Sequence, residues 1–256
     1  MRDAWLAEFV QAGFTVCRGL VDNGLVSNAQ FAVKQQLCVD LRDAEDHHIR
    51  GWTNRTFVPS LQSDDRLLDL YRLSPLATMC QKLVAPFSIA ALERAQLQVR
   101  LSEQTTGTMA QPVKHWHCDG VACPHLPEGQ LNSFQLLVGV LLSDLPHARG
   151  GAVEFRVGGH RAMAEFFRSG QPLPEGAEVP RSVLELPTQA ICGAPGDVVI
   201  SHHLTPHSVG ANESSVDRLM VYFRIRVLDH DDIARRQLAD PWIRMPNCAA
   251  IEEQYR

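Results

Sequence analysis

Between residues 114 and 120 the chain reads Lys-His-Trp-His-Cys-Asp-Gly, which sets His115, His117 and Asp119 at alternate positions. On a strand, or on its extended continuation, side chains two apart point the same way. An imidazole nitrogen of His117 and a carboxylate oxygen of Asp119 can therefore reach one ion. Two histidines and one carboxylate on one side of an ion form the facial set that suits iron(II) and leaves its other side open. The third ligand must come from a later strand, where His160, His202, His203 and His207 are available. His207 fits best. It leaves a strand that starts at the Ala-Pro-Gly-Asp turn of 194–197, and Arg218 follows it on the next strand.

Arg218 opens a run of clean alternation. Leu219, Val221, Phe223, Ile225 and Val227 share one face; Arg218, Met220, Tyr222, Arg224 and Arg226 share the other. The apolar face suits packing on helices and the second face suits the lining of a polar cavity. A guanidinium there can grip a carboxylate at two points. Gln98 and Gln135, on strands predicted beside the site, are each placed either to donate a hydrogen bond to a bound oxo-acid or to face outward.

A competing set uses His115 with His117, as in a three-histidine cupin without a cosubstrate, but it gives Arg218 no role. His202 and His203 are expected around the ligands or at the lip of the site, His160 in a turn hydrogen bond, and His47 and His48 at a solvated helix end. Trp116 should point away from the ligands and pack, and Asn212 should form a turn. Cys118 and Cys123 lack the second cysteine pair a zinc site needs. The seven scattered cysteines read as reduced thiols.

The elements that must hold these residues follow from pattern. Residues 3–13 read as an amphipathic helix ended by Gly13, and 14–21 as a short strand. Ser27 with Gln30 resembles a capping box opening a helix through Leu41. Ser74 and Pro75 start another helix that stops before Pro86. After residue 87 the runs 88–101, 134–145, 151–159, 196–210 and 218–228 read as strands, and 161–187 as a short helix with a long surface loop. Helices first and strands after point to helices packed on one face of an antiparallel sheet system, with a jelly roll as the leading architecture. One domain over residues 1–256 is expected: a helical part to residue 87, a jelly-roll core over 88–228, and a C-terminal helix and tail over 229–256.

The composition, 45% hydrophobic with a net charge of −5, suits a soluble globular chain and provides no basic field for nucleic acid or an anionic membrane. The N-terminal residues lack a signal-peptide core and carry an acid too early for a transit peptide, which points to the cytoplasm. A monomer or homodimer is expected.

The ordered set His117-x-Asp119, Gly-Gly at 150–151, Gly-Gly-His-Arg at 158–161, Pro-Gly-Asp at 195–197, and His207 with Asn212 and Arg218 resembles the phytanoyl-CoA dioxygenase family. The opening Phe-Val-Gln-Ala-Gly-Phe-Thr-Val resembles that family's usual start. Where family members often read Pro-Gly-Ser-His, this chain has Val-Gly-Gly-His at 157–160, in a loop that is structural in the family. The resemblance implies a double-stranded β-helix, a cupin-like form of jelly roll. It also implies iron(II) on His117, Asp119 and His207, and 2-oxoglutarate chelating that iron with its far carboxylate on Arg218. Dioxygen would be the oxidant, succinate and carbon dioxide the coproducts, and ascorbate the reductant used in vitro. Halogenating relatives have a small residue in place of the carboxylate, so Asp119 points to hydroxylation of a C–H bond in a small organic metabolite. Substrate is expected against 120–133, 52–57 and 161–187, with Trp52, Val121 and His125 as lid candidates. A non-catalytic binding module on the same fold is the remaining alternative.

Overall fold

The computed structural model describes residues 4–42, 59–102, 115–121, 131–172 and 178–255. Helix α1 (Ala4–Ala12) ends where the Gly13 N–H bonds the Phe9 carbonyl at 2.8 Å, and β1 (Phe14–Cys17) follows directly. Helix α2 (Asn23–Arg42) begins four residues before Ser27. The side chain of Asp22 accepts the Gly24 N–H at 2.7 Å and caps the helix. The capping-box reading of Ser27 and Gln30 is therefore corrected: both lie inside α2, and Gln30 reaches across to the Leu142 carbonyl at 2.6 Å. Helices α3 (Asp65–Arg72) and α4 (Leu76–Val84) complete the N-terminal layer; α4 starts one residue later than expected, with Pro75 at its N-cap, and the Ser74 hydroxyl accepts the Leu76 N–H.

Seven more strands follow: β2 (Gln96–Arg100), β3 (Leu136–Leu141), β4 (Val153–Arg156), β5 (Thr188–Ile191), β6 (Val198–His202), β7 (His207–Val209) and β8 (Arg218–Ile225). Helix α5 (Gly159–Ser169) lies between β4 and β5. Only the last third of the 88–101 run enters a ladder, through β2; Ile89 makes a single bridge to Val227. The strands form a five-stranded sheet in the order β1-β6-β3-β8-β2 and a three-stranded sheet in the order β5-β4-β7, antiparallel throughout.

Period-2 alternation sorts each strand of the large sheet between two cores. Leu97, Val99, Leu136, Val138, Val198, Ile200, Val221 and Phe223 face outward under α1–α4, meeting Phe9, Val33, Leu67, Leu76 and Leu83. Phe14, Leu137, Leu141, Met220 and Tyr222 face inward and meet Val153, Phe155 and Val209 of the small sheet; Phe14 stacks on Phe155 with ring centres 5.0 Å apart. The fold is thus a jelly roll with N-terminal helices on its outer face, each buried Leu or Phe contributing about 1.5–3 kcal/mol. Val221, fully buried between helices and sheet, is a position where a charge would break that packing.

Residue 139 shows how the inner face makes room for chemistry. Gly139 pairs with Tyr222 in the β3–β8 ladder. A Cβ there would come within 2.3 Å of the Met220 methyl and 2.8 Å of the Tyr222 ring. Only glycine lets those two side chains fold over β3, and both contact Arg218. No helix among the described residues is long and apolar enough to cross a membrane.

Candidate functional site

His207 begins β7, between Phe155 of β4 on one side and His117 on the other. His117 and His207 form a reciprocal antiparallel bridge, with N–H···O distances of 3.1 and 2.9 Å. The bridge places the two rings 4.4 Å apart. Asp119, two residues on from His117, returns its carboxylate to the same place. Ligand atoms of His117, Asp119 and His207 all lie within 4.8 Å of one another, the one such group of three or more among the described residues.

The hydrogen bonds behind these side chains settle which atoms face inward. Nδ1 of His117 bonds the His115 carbonyl at 2.8 Å, and Nδ1 of His207 bonds the Thr205 carbonyl at 3.2 Å. A carbonyl only accepts, so each Nδ1 carries a proton, and Nε2 is the ring atom left to face the common centre. Nε2 of His117 stands 3.5 Å from Oδ1 of Asp119. The other oxygen, Oδ2, accepts from Nη2 of Arg224 at 2.7 Å. Burial alone would raise the Asp119 carboxyl, but Arg224 and the two histidines outweigh it and hold it well below the usual carboxylate range. Two imidazoles with Nδ1 engaged from behind and Nε2 directed inward, beside one ionised carboxylate, fit a divalent cation of borderline softness.

After Asp119 the chain turns at Gly120, whose φ of +74° favours glycine. A Cβ there would lie 2.2 Å from the Asn132 carbonyl oxygen. The Gly120 carbonyl accepts the Asn132 N–H at 3.0 Å, and Asn132 accepts from Arg226. These contacts fix the floor of a cavity of about 540 Å³ lined by Gln96, Asp119, Asn132, Tyr222, Arg224 and Arg226, among others.

Arg218 is 1% exposed, inside the jelly roll. Its guanidinium donates to Gln98 Oε1, to the Tyr222 hydroxyl at 3.0 Å and to the Met220 sulfur at 3.1 Å. Its Nε is buried without a hydrogen-bond partner among the described residues. Arg100 pairs with Arg218 across the β2–β8 ladder. Burial, with the neighbouring Arg218 charge, lowers Arg100 to about 10. Two buried guanidiniums side by side, one with an unsatisfied donor, fit an anionic group.

Other sequence expectations are redistributed. Gln135 does not face the site: it donates to His230 Nδ1 at 2.8 Å and Gln237 at 3.1 Å, and accepts the Val227 N–H at 2.9 Å, all in a buried network. His115 is exposed and stays outside the ligand group, contributing its carbonyl to His117. His202 and His203, at 0% and 2% exposure, are not lip residues; His202 bonds the Pro241 carbonyl at 2.8 Å. His160 is not in a turn: its ring is buried against His202 and Trp242, and neither nitrogen meets hydrogen-bond geometry with a partner among the described residues. Trp116 packs under the Arg156 guanidinium, 4.0 Å from its ring centre. Asn212 is a turn former as expected, bonding Ser214, and it also donates to the Arg100 carbonyl at 2.8 Å. Val121 packs beside the apolar group of Cys118, Met163 and Leu204. Trp52, His125, His47, His48 and Cys123 lie outside the described residues. Sequence reasoning missed Arg100, Tyr222 and Arg224 as parts of the site. The β8 alternation put Tyr222 and Arg224 on the cavity face, but their partners depend on strand register.

A family model described as Phytanoyl-CoA dioxygenase (PhyH) matches residues 9–220. No curated protein matches the chain. Among solved structures, the non-heme alpha ketoglutarate dependent epimerase SnoN from nogalamycin biosynthesis is 20% identical, with a TM-score of 0.61 over 88% of this chain and 80% of that one. The carbocyclase SnoK, from the same biosynthesis, is 14% identical, with a TM-score of 0.62 over 92% and 90%. HygX from Streptomyces hygroscopicus, with nickel and 2-oxoglutarate bound, is 16% identical, with a TM-score of 0.59 over 88% and 87%. At these identities the likeness is one of fold.

Proposed function

The chain belongs to the phytanoyl-CoA dioxygenase family of iron- and 2-oxoglutarate-dependent oxygenases, and from that premise we propose that it oxidises a C–H bond of a small organic metabolite, by hydroxylation. In this reading His117, Asp119 and His207 hold iron(II), and Arg218 receives the far carboxylate of 2-oxoglutarate. The observation that carries it is the convergence of three ligand atoms within 4.8 Å, with each imidazole Nδ1 engaged by a backbone carbonyl. SnoN in complex with Fe3+ and alpha ketoglutarate, and HygX with nickel and 2-oxoglutarate, show that the same fold takes such a metal and cosubstrate.

The chain's own residues would act as follows. His117 and His207 would present Nε2 to the metal, because each Nδ1–H is tied to a carbonyl. Arg224 keeps Asp119 ionised. Arg218, steadied by Gln98 and Tyr222, turns its buried guanidinium to the cosubstrate's carboxylate; Arg100 adds positive charge beside it. The cavity of about 540 Å³ beside Asp119 is sized for a small metabolite and lined by polar side chains that orient it. Iron with 2-oxoglutarate, when bound, supplies activation of dioxygen for oxidation of an unactivated C–H bond, releasing succinate and carbon dioxide. Asp119 occupies the position that halogenating relatives leave small, which supports hydroxylation over halogenation.

The test is succinate formation from 2-oxoglutarate by purified protein with iron(II), ascorbate and air. Slow uncoupled turnover is expected without substrate, and none with Arg218→Ala or His117→Ala. Variants that keep wild-type iron binding and 2-oxoglutarate turnover would refute the assignment.

A further inference from the structure

Asp119 has two oxygens in different circumstances. Oδ1 lies 3.5 Å from Nε2 of His117, on the side where the ligand atoms converge. Oδ2 is held by Nη2 of Arg224 at 2.7 Å. Arg224 is itself fixed. Its Nη1 donates to Gln96 Oε1, and its guanidinium carbon sits 5.5 Å from the centre of the Phe134 ring. Gln96 is opposite Tyr222 in the β2–β8 ladder, so it lies one same-face step from Arg224. The donors of Arg224 that point inward are thus directed at Asp119 and Gln96, while the rest of the side chain forms cavity wall.

A carboxylate beside a divalent cation binds through one oxygen or through both. The choice matters here. Three single-atom donors on one face of an octahedral ion leave the opposite face open, and a second oxygen from Asp119 would close part of it. Engaging Oδ2 from behind removes that second mode. Glutamine or alanine at 224 would release Oδ2 to turn inward, whereas lysine keeps one charged donor, though not a planar fork.

Resting on the iron and 2-oxoglutarate reading above, we propose that Arg224 is a positioning residue: through its bond to Oδ2 it limits Asp119 to one-oxygen coordination and keeps open the face that the cosubstrate and dioxygen need. It acts through Asp119, not by touching the cosubstrate.

The experiment uses the full chain with cobalt(II) in place of iron, so that coordination is read by visible absorption without turnover. Cobalt(II) and 2-oxoglutarate affinities are measured by calorimetry for wild type, Arg224→Ala, Arg224→Gln and Arg224→Lys. Loss of the arginine should weaken cobalt(II) by no more than about tenfold, the low end for a residue behind a ligand because the freed Oδ2 can join the ion, alter the visible spectrum before 2-oxoglutarate is added, and weaken 2-oxoglutarate by roughly tenfold beyond that, with Arg224→Lys recovering most of the loss. A general structural role would weaken both ligands together, without rescue by lysine, and would overturn the proposal. So would variants with the wild-type spectrum and wild-type 2-oxoglutarate affinity. If Arg224→Ala does not fold, the glutamine and lysine variants decide. Failure of wild-type protein to bind cobalt(II) would overturn the metal site itself, a result distinct from failure of the Arg224 role.

Discussion

His117 and His207 on one hand, and His160, His202, His203 and His230 on the other, are two histidine groups in opposite condition. In the first, each ring has its Nδ1 tied to a carbonyl and the Asp119 carboxylate beside it, and Asp119 lines a cavity. In the second the rings are buried among one another, with His202 and His203 4.5 Å apart and His160 and His202 5.5 Å apart. Among the described residues, no ring nitrogen of His160 or His203 meets hydrogen-bond geometry with a partner, and no carboxylate joins them in a ligand group. On the proposed reading the fold uses histidine both as a metal ligand and as a buried core ring. What separates the uses is the anion in reach: the Asp119 carboxylate converges with His117 and His207, whereas no carboxylate joins the buried rings in a ligand group among the described residues.

The largest effect that would test this contrast is on metal binding. His117→Ala and His207→Ala should each weaken iron(II) by more than about 100-fold, since even residues behind a ligand cost 10- to 100-fold. His203→Phe should leave iron(II) affinity unchanged. Calorimetric titration under anaerobic conditions measures both, and loss of metal in His203→Phe would merge the two groups into one site. Arg218→Ala comes next. Truncating a buried, hydrogen-bonded charge costs about 2–5 kcal/mol, so 2-oxoglutarate affinity should fall by one to three orders of magnitude while iron(II) still binds.

Acid should separate the groups by stability. Burial disfavours the charged ring and lowers both His202 and His230 to about 4 in the folded chain. Unfolded, each titrates near about 6.5. Above that pH both states are neutral and nothing is lost. As pH falls toward 4 the unfolded chain takes up protons the folded chain refuses, and stability drops by up to about 3 kcal/mol per histidine. His160 and His203 are pushed the same way by burial and by neighbouring positive charge. Urea midpoints of metal-stripped protein at about pH 7.5 and about pH 5 measure the loss, and equal midpoints would show that these rings charge without cost.

How much of this the sequence carried depends on the range of each signal. The β8 alternation is legible because a period of two needs no partner: Leu219, Val221, Phe223, Ile225 and Val227 do pack under the helices, and Arg218, Met220 and Tyr222 do face inward. His117, Asp119 and His207 were legible because an H-x-D pair and a later histidine on a strand are short patterns in a fixed order. Ser27 was misread because Ser-x-x-Gln also fits a helix interior, and the true cap, Asp22, lies before a weakly patterned first turn. The burial of His160 and His202 was not legible, because it depends on residues 241–242 returning from the end of the chain to cover them.

The smallest effects divide the same two regions through a pair of glutamines that look alike in sequence. Gln98 and Gln135 both lie at or beside strands of the large sheet, and both are buried. Gln98 accepts from Arg218, so Gln98→Ala removes one of the bonds that aim the guanidinium. A hydrogen bond to a charged group contributes about 1.5–3 kcal/mol, and 2-oxoglutarate affinity should fall by about tenfold or somewhat more. Gln135 instead joins His230, Gln237 and the Val227 N–H. Gln135→Ala leaves those groups buried and unsatisfied, at about 1–3 kcal/mol of folding stability, with 2-oxoglutarate affinity unchanged. Calorimetry for the ligand and urea melts for the fold should move in crossed fashion. If Gln135→Ala weakened 2-oxoglutarate as much as Gln98→Ala did, the buried histidine network would be coupled to the cosubstrate pocket, and the separation drawn between the two histidine groups would fail.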